Sequence, residues 1–449
     1  MKNHVVRPRG VKVARNRSVR PALEGLEDRI LQYATTGNQF ASGSRITWSF
    51  EPDGTNLGGV SSNLAATLDA RIGPGRWQQA IFAAFATWEN YANINLPQVN
   101  DDGSATNSGP YQQGAPNIGD IRIGGFAQPT STLAFTLLPP KSNGGSDAGD
   151  IFLNTAQPWN LNSDYDLETV LIHEIGHALG LGHSADTGAA MYSYYQGVRQ
   201  SVVQDDVNGI QAIWGPRAED EIALATANFT PARAADITRY TNYSNNWLIL
   251  PNMDVASSNE SYWFKFTTPG NASTNLTARI QSSGLSELSP KIQLYNASLQ
   301  GIVQNAAAAG GNGSVLGVSI ATATPNTTYY LHVSGSNVGV TGTGSYALQI
   351  NMGSSPLTLS APPNTQVAAQ PDQGGGSSFD WTGGKPHHGH GHPGDQPDII
   401  QLGKIEAAGD FLQVAPAKQV AAKHVGVAHP TGHVLGRRPL HGRDHRSHG

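Results

Sequence analysis

The sequence predicts an α+β protein in which a sheet with three helices precedes an antiparallel β-sandwich and a largely disordered tail. Three observations support this prediction. Residues 42–217 mix strand-like runs with segments whose apolar residues recur at helical spacing. Residues 218–353 contain short alternating runs between turn residues, as in an antiparallel sandwich. Residues 354–449 lose this periodicity and form a low-complexity tail rich in His, Pro and Gly.

The composition of the 449 residues excludes several classes of protein. Charged residues make up only 14% of the chain and the net charge is -5, so the basic face of a nucleic-acid-binding protein is not expected. The chain has no cysteine, which excludes disulfides, thiolate metal ligands and a cysteine nucleophile. No run approaches the roughly 18 apolar residues of a membrane span.

Residues 1–41 are interpreted as a basic leader or pro-segment. No apolar segment follows the first basic residues, as it would in an ordinary secretory signal. The stretch RPALEGLEDRIL (Arg20–Leu31) resembles a motif near the N-termini of many large exported bacterial proteins. It indicates an extracellular or cell-surface location, although the same residues are equally compatible with a short amphipathic leader helix.

The elements of residues 42–217 can be assigned in order. Trp77, Ile81, Phe85 and Trp88 recur at the spacing of one helix face. A second helix should begin near Asp164–Asp166 and end at Gly180 or Gly182, and a third should end at Gly215. Four runs have strand composition: Arg45–Phe50, Gly119–Phe126, Thr132–Pro139 and Gly149–Thr155.

The predicted second helix carries the pattern His-Glu-x-x-His. His173 and His177 are four residues apart, so they share one face of a helix and can bind the same zinc ion. Glu174 lies beside the first ligand and can reach a metal-bound water without binding the metal itself. These residue types at this spacing indicate hydrolytic zinc chemistry.

Two further residues make the pattern specific. Gly180 can end the helix, because glycine enters a left-handed conformation at low cost. His183 can then return as the third ligand, which leaves the fourth zinc position open for water and substrate. Between His4 and His332 the chain has only these three histidines. An amphipathic helix with incidental histidines predicts neither the glycine nor the third histidine.

The extended motif, followed by Met191, resembles the metzincin metallopeptidases, and the segment from Ser184 to Pro216 is similar to matrixins. The resemblance covers about Ser42–Pro216. It implies a twisted mixed sheet with two helices above the cleft and an irregular lower part ending in the third helix. Substrate would pair as an added strand along the sheet edge, and Met191 would form an apolar floor beneath one catalytic zinc.

The resemblance also gives roles to residues around the site. It implies that Asp205 and Asp206 tie the third helix to the methionine turn, and that Met191–Gly197 forms the wall of the pocket for the residue after the scissile bond. Animal matrixins usually have proline where this chain has Ser193. Their structural zinc site is not expected, because Phe135 and Phe152 stand at two of its histidine positions. Calcium could still bind through Asp147, Asp150 or nearby carbonyls.

A cysteine-based latency mechanism is impossible in a chain without cysteine. If the enzyme is made latent, the N-terminal segment must act in another way, and one hypothesis is that an acidic side chain reaches the metal. The candidates for this role are Glu24, Glu27 and Asp28.

The later parts of the chain are less specific. The strand-like runs of residues 218–353 resemble the prepeptidase C-terminal domains of secreted bacterial proteases, and a cell-surface or matrix ligand is one role for such a domain. The HHGHGH run (His387–His392) is interpreted as a solvated tail segment, with loose metal binding as the alternative.

These observations together predict a zinc-dependent metalloendopeptidase that acts on extracellular protein or peptide substrates, with Glu174 as the general base. The competing hypothesis is a surface-binding protein with a decayed protease domain. The complete set of His, Glu, Gly and Met residues argues against decay.

Overall fold

The computed structural model describes residues 33–306, 313–336, 340–355 and 409–414. The acidic latency candidates Glu24, Glu27 and Asp28, and the histidine run at 387–392, lie outside the described residues. Within the described ranges, no helix is both long and apolar enough to cross a membrane.

Residues 33–216 form the α+β part of the fold. Its strands are β1 (Ala34–Thr35), β2 (Trp48–Phe50), β3 (Ile121–Phe126), β4 (Thr132–Leu137), β5 (Ile151–Asn154), β6 (Leu181–Gly182) and β7 (Tyr194–Tyr195). Its helices are α1 (Leu64–Arg71), α2 (Arg76–Glu89), α3 (Leu167–Ala178) and α4 (Gln204–Trp214). Helices α2, α3 and α4 correspond to the three that the sequence predicts. Helix α1 was not predicted, because its eight residues bury only Leu64 and Leu68 and so give a weak apolar stripe.

The main sheet of this part is mixed, as predicted. Strands β2, β3 and β5 run parallel to one another, and β4 is antiparallel to β5 at the other side. Trp48 on β2 stacks on Phe85 of α2 with ring centroids 4.4 Å apart. Trp88 of α2 donates its indole N–H to the carbonyl of Ile172 in α3 at 3.0 Å. Helix α3 is therefore held between α2 and the sheet, which fixes the orientation of its histidines.

The region after residue 217 forms two five-stranded sheets that share one apolar core. It begins with helix α5 (Glu221–Thr226) and contains two short 3-10 helices, Pro231–Arg233 and Thr238–Tyr240. The strands are β8 (Ala235–Asp236), β9 (Thr241–Asn242), β10 (Trp247–Val255), β11 (Ser261–Thr267), β12 (Leu276–Gln281), β13 (Pro290–Tyr295), β14 (Gly301–Ala306), β15 (Val315–Ile320), β16 (Thr328–Gly335) and β17 (Gly344–Asn351).

The strand orders are β15-β12-β17-β10-β9 and β14-β13-β16-β11-β8. Burial alternates along β11, where Tyr262, Phe264 and Phe266 face the core. All pairings in the two sheets are antiparallel except the short β8–β11 contact, which is parallel. The predicted antiparallel β-sandwich is thus confirmed as a fold.

One more strand comes from the region that the sequence predicts as a tail. Strand β18 (Gly409–Val414) lies between β4 and β7 in the main sheet. It is antiparallel to β4 and parallel to β7. These six residues therefore differ from the prediction of disorder, and they fall within a weakly apolar stretch of an otherwise polar tail.

Buried carboxylates join the α+β part to the sandwich. Glu89, at the end of α2, accepts hydrogen bonds from the backbone N–H groups of Leu96 and of Glu287 in the sandwich. Glu287 in turn accepts from the indole N–H of Trp48 at 3.2 Å. Both glutamates are almost fully buried. Burial raises the pKa of Glu287 well above its ordinary value and that of Glu89 to about 7.

Arg217 also joins the α+β part to the sandwich. Its guanidinium pairs with Asp254 of β10 at 2.6 Å and donates to the backbone carbonyls of Glu89 and Ile94 at 3.1 and 2.8 Å. A guanidinium in a forked arrangement of this kind fixes orientation as well as distance. The two parts of the fold are therefore connected by directional polar contacts at the point where the chain passes from one to the other.

We expect the stability of the protein to fall as the pH rises from about 4.5 to about 7, in part because of Glu89. Burial raises the pKa of this carboxyl to about 7, so the folded chain holds a proton that the unfolded chain releases. The stabilising effect is complete below about pH 4.5 and lost by about pH 7. At about 1.4 kcal/mol per pKa unit, it is on the order of 3 kcal/mol.

Denaturant unfolding at several pH values measures this effect. Glu89→Gln should make the fall in the free energy of unfolding between pH 5 and 7 shallower than in the wild type, whatever its effect on absolute stability. Glu221→Gln, at an exposed position of α5, is the matched control and should leave the slope unchanged. Parallel curves for Glu89→Gln and the wild type would contradict the assignment to this carboxyl.

Candidate metal centre

Helix α3 presents the first two histidines. It begins after Asp166, whose carboxylate accepts the backbone N–H of Thr169 at 3.0 Å and so caps the helix. His173 and His177 lie one turn apart and are both buried, with ring centroids 4.6 Å apart. The two imidazoles therefore face the same point, as their spacing in the sequence predicts.

The chain turns back at Gly180. Its φ is +102°, and an added Cβ would lie 2.3 Å from the carbonyl oxygen of Asn38, so neither the backbone conformation nor the space suits another residue. After the turn, β6 pairs with β1, and His183 comes next to the first two histidines. One ligand nitrogen from each of the three lies within 4.8 Å of the others.

Hydrogen bonds orient two of the rings. Nδ1 of His173 lies 2.8 Å from the carbonyl oxygen of Ala190, and Nδ1 of His177 lies 2.8 Å from that of Leu181. Since a carbonyl can only accept, both Nδ1 atoms carry the proton and both Nε2 atoms keep their lone pair. The Nε2 atoms are 3.0 Å apart. Burial and the neighbouring His177 lower the pKa of His173 well below its ordinary value, which favours the neutral, ligating form.

This donor set fits zinc. Three imidazoles that converge from a helix and a turn can supply three protein ligands and leave a fourth position for water or substrate. Backbone carbonyls on the Nδ1 side provide the outer hydrogen bonds that ligating histidines need. Among the residues that the structure describes, no other group of three or more His, Asp or Glu side chains is arranged to hold a metal ion.

Met191 packs against the helix that carries the first two histidines. It is buried, and it packs against Gly176 of α3, where an added Cβ would lie 2.3 Å from the sulfur of Met191 and 3.0 Å from the indole of Trp88. Gly176 was missed by sequence reasoning, which treated it only as a variable position between the two helical histidines. The sequence feature that could have indicated its role is the absence of a side chain next to His177, on the helix face that carries the ligands.

Asp205 and Asp206 hold the methionine turn against α4. Asp206 accepts the backbone N–H groups of Ala190 and Met191 at 2.9 and 3.1 Å. Its carboxylate also accepts the N–H of Val203 at the start of α4. Asp205 accepts the hydroxyl of Ser184 at 2.5 Å. The two carboxylates thus connect the third helix both to the methionine turn and to the residue after His183.

Glu174 is fully buried and follows His173 on α3. The hydroxyl of Thr136 on β4 lies 2.6 Å from its Oε2 and 3.1 Å from its backbone carbonyl oxygen. A hydroxyl that donates to a carboxylate fixes the direction in which that carboxylate points. Thr136 is a second residue that sequence reasoning missed, because nothing in its local sequence marks it as a partner of α3.

A small pocket opens next to His173. Its lining includes the predicted wall residues Tyr192, Tyr194 and Tyr195, and also Arg199. The backbone of Asp166 donates to the hydroxyl of Tyr195 at 3.0 Å, and Arg199 donates to the carbonyl of Ala189 at 2.6 Å. These contacts hold the wall although Ser193 stands where proline is usual in animal matrixins.

The positions where a structural zinc would lie are apolar. The rings of Phe135 and Phe152 are 5.1 Å apart and form a small cluster with Phe126, Leu57 and Leu137. Neither phenylalanine offers a ligand atom.

The calcium candidates have other partners. Asp150 is fully buried and accepts the backbone N–H of Arg122 at 2.9 Å, while Asp147 lies 3.1 Å from the side-chain amide of Asn143. Within the described residues, these two carboxylates do not form a group of three acidic or histidine ligands. Calcium binding, which is common in matrixins, stays a prediction for this chain.

A helix with two buried histidines, a glycine turn, a third histidine and an underlying methionine together define the zinc site of a metzincin-type domain. The comparison with protein families agrees: residues 65–215 match the matrixin family. This part of the chain is therefore a matrixin-like metzincin domain, and the resemblance inferred from the sequence is confirmed for it. The resemblance of the sandwich to prepeptidase C-terminal domains stays a prediction.

Individual relatives point to the same family. The chain is similar to karilysin from Tannerella forsythia, with 29% identity over 269 residues that cover 58% of this chain and 53% of karilysin. It is 35% identical to the interstitial collagenase of Bos taurus and 34% identical to the neutrophil collagenase of Homo sapiens, over 31% of this chain and 28% of each collagenase. The chain thus spans about half the length of karilysin and less than a third of either collagenase.

Proposed function

We propose that this protein is a zinc-dependent metalloendopeptidase that hydrolyses peptide bonds in extracellular proteins. One observation carries the proposal: three imidazole donors, two from α3 and one from the chain after the Gly180 turn, converge within 4.8 Å, and α3 also carries Glu174. The family match of residues 65–215 supports the same activity. His173, His177 and His183 would hold the zinc, with Gly180 shaping the turn and Met191 forming the floor.

Zinc bound at this site would polarise the scissile carbonyl and lower the pKa of a water molecule towards about 7. Glu174 would take a proton from that water as general base and pass it to the leaving amine. Thr136 would keep the Glu174 carboxylate directed at the water. Asp205 and Asp206 would act structurally, since their contacts hold the methionine turn and not the reacting atoms.

Zinc analysis and a casein assay test the proposal directly. The purified full-length chain should bind one zinc per molecule and cleave casein, and a chelator should abolish the cleavage until zinc is restored. Stoichiometric zinc binding with no cleavage of casein, gelatin or a peptide library would contradict it. That outcome would favour a surface-binding protein whose protease domain has lost its activity.

The proposal extends to the organisation of the whole chain. Residues 1–41 would be a leader or pro-segment, 42–217 the protease domain, 218–353 an accessory sandwich and 354–449 a largely disordered tail. We propose an exported bacterial protein that acts outside the cell or at its surface. Three rings lie together on the outward-facing side of one sheet, those of Trp263, Tyr295 and His332. A cell-surface or matrix ligand would bind at this surface.

Replacing Thr136 tests how Glu174 is positioned. Thr136→Val removes the hydroxyl that lies 2.6 Å from Glu174, so we expect kcat on a peptide substrate to fall about tenfold, the effect of losing roughly 1.4 kcal/mol. KM should change little, and the acidic limb of the pH–rate profile should shift to higher pH because the carboxylate loses a stabilising donor.

Thr136→Ser keeps the hydroxyl and should restore both the rate and the pH profile, which a purely structural role of the side chain would not require. An unchanged pH profile in Thr136→Val, with equal losses in both variants, would contradict the positioning role.

A further inference from the structure

Strand β18 occupies the groove between β4 and β7. From Gly409 to Gln413 it pairs with β4 in antiparallel orientation, and Gln413 and Val414 pair in parallel with Tyr194 and Tyr195 of β7. An extended peptide bound to a protein by strand addition uses main-chain hydrogen bonds of this kind. Here the same chain supplies both the groove and the peptide.

The register places the strand relative to the reacting groups. Asp410 pairs with Thr136, whose hydroxyl bonds Glu174. The register with β4 shifts between Leu412 and Gln413, and from Gln413 onward the opposite edge of the strand pairs with β7. Three peptide bonds separate Asp410 from Gln413, and the middle one joins Phe411 to Leu412. Strand β18 also lies beside α3, the helix that carries His173 and His177.

Because the chain itself delivers this strand, the local concentration of the peptide at the groove is high. The chain passes through residues 356–408 between the end of the sandwich and the start of β18. A connection of this length reduces the effective concentration relative to a short one, but it still makes binding intramolecular and independent of the protein concentration. The strand therefore competes with any external substrate for the same main-chain contacts.

We propose that the protein is its own substrate and cleaves its chain between Phe411 and Leu412. This inference rests on the proposed peptidase function. In the reaction, a water oxygen bonds to the carbonyl carbon of Phe411 while the bond to the Leu412 nitrogen breaks. One proton of the water passes through Glu174 to that nitrogen. The products are a carboxylate at Phe411 and an amine at Leu412, with no change of oxidation state.

Cleavage has a consequence for access to the groove. The segment 412–449 loses its covalent connection to the protein, so its binding to β7 becomes intermolecular and falls with dilution. The part of the groove along β7 would then be open to external substrates. The chain before cleavage should accordingly turn over a peptide substrate more slowly than the chain after cleavage.

Intact-mass analysis of the zinc-loaded full-length protein tests the proposal. We expect a species that ends at Phe411 and a released fragment whose N-terminus is Leu412. The rate at which these two products form should not change with protein concentration, because the reaction is intramolecular. Glu174→Ala should stay intact at this bond.

Two proline variants of the full-length chain provide the matched comparison. Leu412→Pro removes a backbone N–H within β18 and restricts φ, so cleavage at this bond should fall at least about tenfold, as expected when more than about 1.4 kcal/mol of binding is lost. Ala421→Pro lies in the same tail outside the strand and should be cleaved like the wild type. Both variants should still cleave casein.

Hydrogen exchange gives a readout that does not depend on activity. In the Glu174→Ala protein, amides of residues 409–414 should exchange more slowly than those of neighbouring tail residues. Adding Leu412→Pro should remove that protection.

The outcomes separate this inference from the function on which it rests. If casein is cleaved while the bond between Phe411 and Leu412 stays intact, self-cleavage is wrong and the peptidase function stands. If the zinc-loaded protein cleaves neither, the peptidase function fails and the inference with it. Cleavage that accelerates in proportion to protein concentration would show attack between molecules and would overturn the intramolecular assignment.

Discussion

Glu174→Ala should keep zinc at wild-type stoichiometry while its turnover of casein falls by about 10²–10⁴-fold, the contribution that general acid–base catalysis typically makes. The metal should remain because the three donors are histidines, and two of them are oriented by backbone carbonyls that the substitution does not touch. The rate should fall because no other group is proposed to take the proton from the attacking water. Zinc analysis and a casein assay on the same preparation measure both quantities.

Glu168→Ala is the control for this experiment. Glu168 belongs to the first turn of the same helix, so its replacement changes the charge and composition of α3 in the same way. Its turnover should stay close to that of the wild type. Near wild-type turnover by Glu174→Ala would contradict the general-base role, and a loss of zinc in that variant would mean that Glu174 supports the metal instead.

The second large effect concerns the metal itself. His183→Ala leaves only His173 and His177 as protein ligands, so zinc affinity should fall by more than about 100-fold. Even the loss of a hydrogen-bonding partner behind a ligand costs about 10–100-fold, and removing the ligand should cost more. Competition with a chromogenic chelator gives the affinity, and casein cleavage should fall in parallel.

His332→Ala provides the matched substitution outside the site. His332 lies on β16 of the sandwich, where its Nδ1 is 2.8 Å from the side-chain oxygen of Gln293. Zinc affinity and casein cleavage should both be unchanged in this variant. Wild-type affinity in His183→Ala would show that the three-histidine site is not the zinc site.

The parts of the site that the sequence predicted are those that depend on local spacing. His173 and His177 share a helix face because they are four residues apart, and Gly180 shows the left-handed conformation that a turn after a helix favours. Helices α2, α3 and α4 and strands β2 to β5 were predicted for the same reason. Their ends shifted by a few residues, because termini depend on hydrogen bonds that periodicity does not describe.

The parts that the sequence did not predict depend on contacts between distant segments. Thr136 lies 38 residues before the glutamate it bonds, and Gly176 is needed only because the sulfur of Met191 packs against it. Strand β18 pairs with a strand more than 270 residues earlier. In each case the residue type is ordinary, and only the three-dimensional arrangement gives it a role.

The buried contact between the α+β part and the sandwich limits how the two could have been combined. Trp48, at the centre of the first core, shares its indole N–H with Glu287 of the sandwich, and Glu89 accepts a backbone N–H from the same residue. A recombination event that exchanged the sandwich for another module would remove one hydrogen-bonding partner from each of these buried groups, which is costly. Any successful replacement would need a carboxylate and a backbone donor at the same place, so the two parts are expected to have been inherited together.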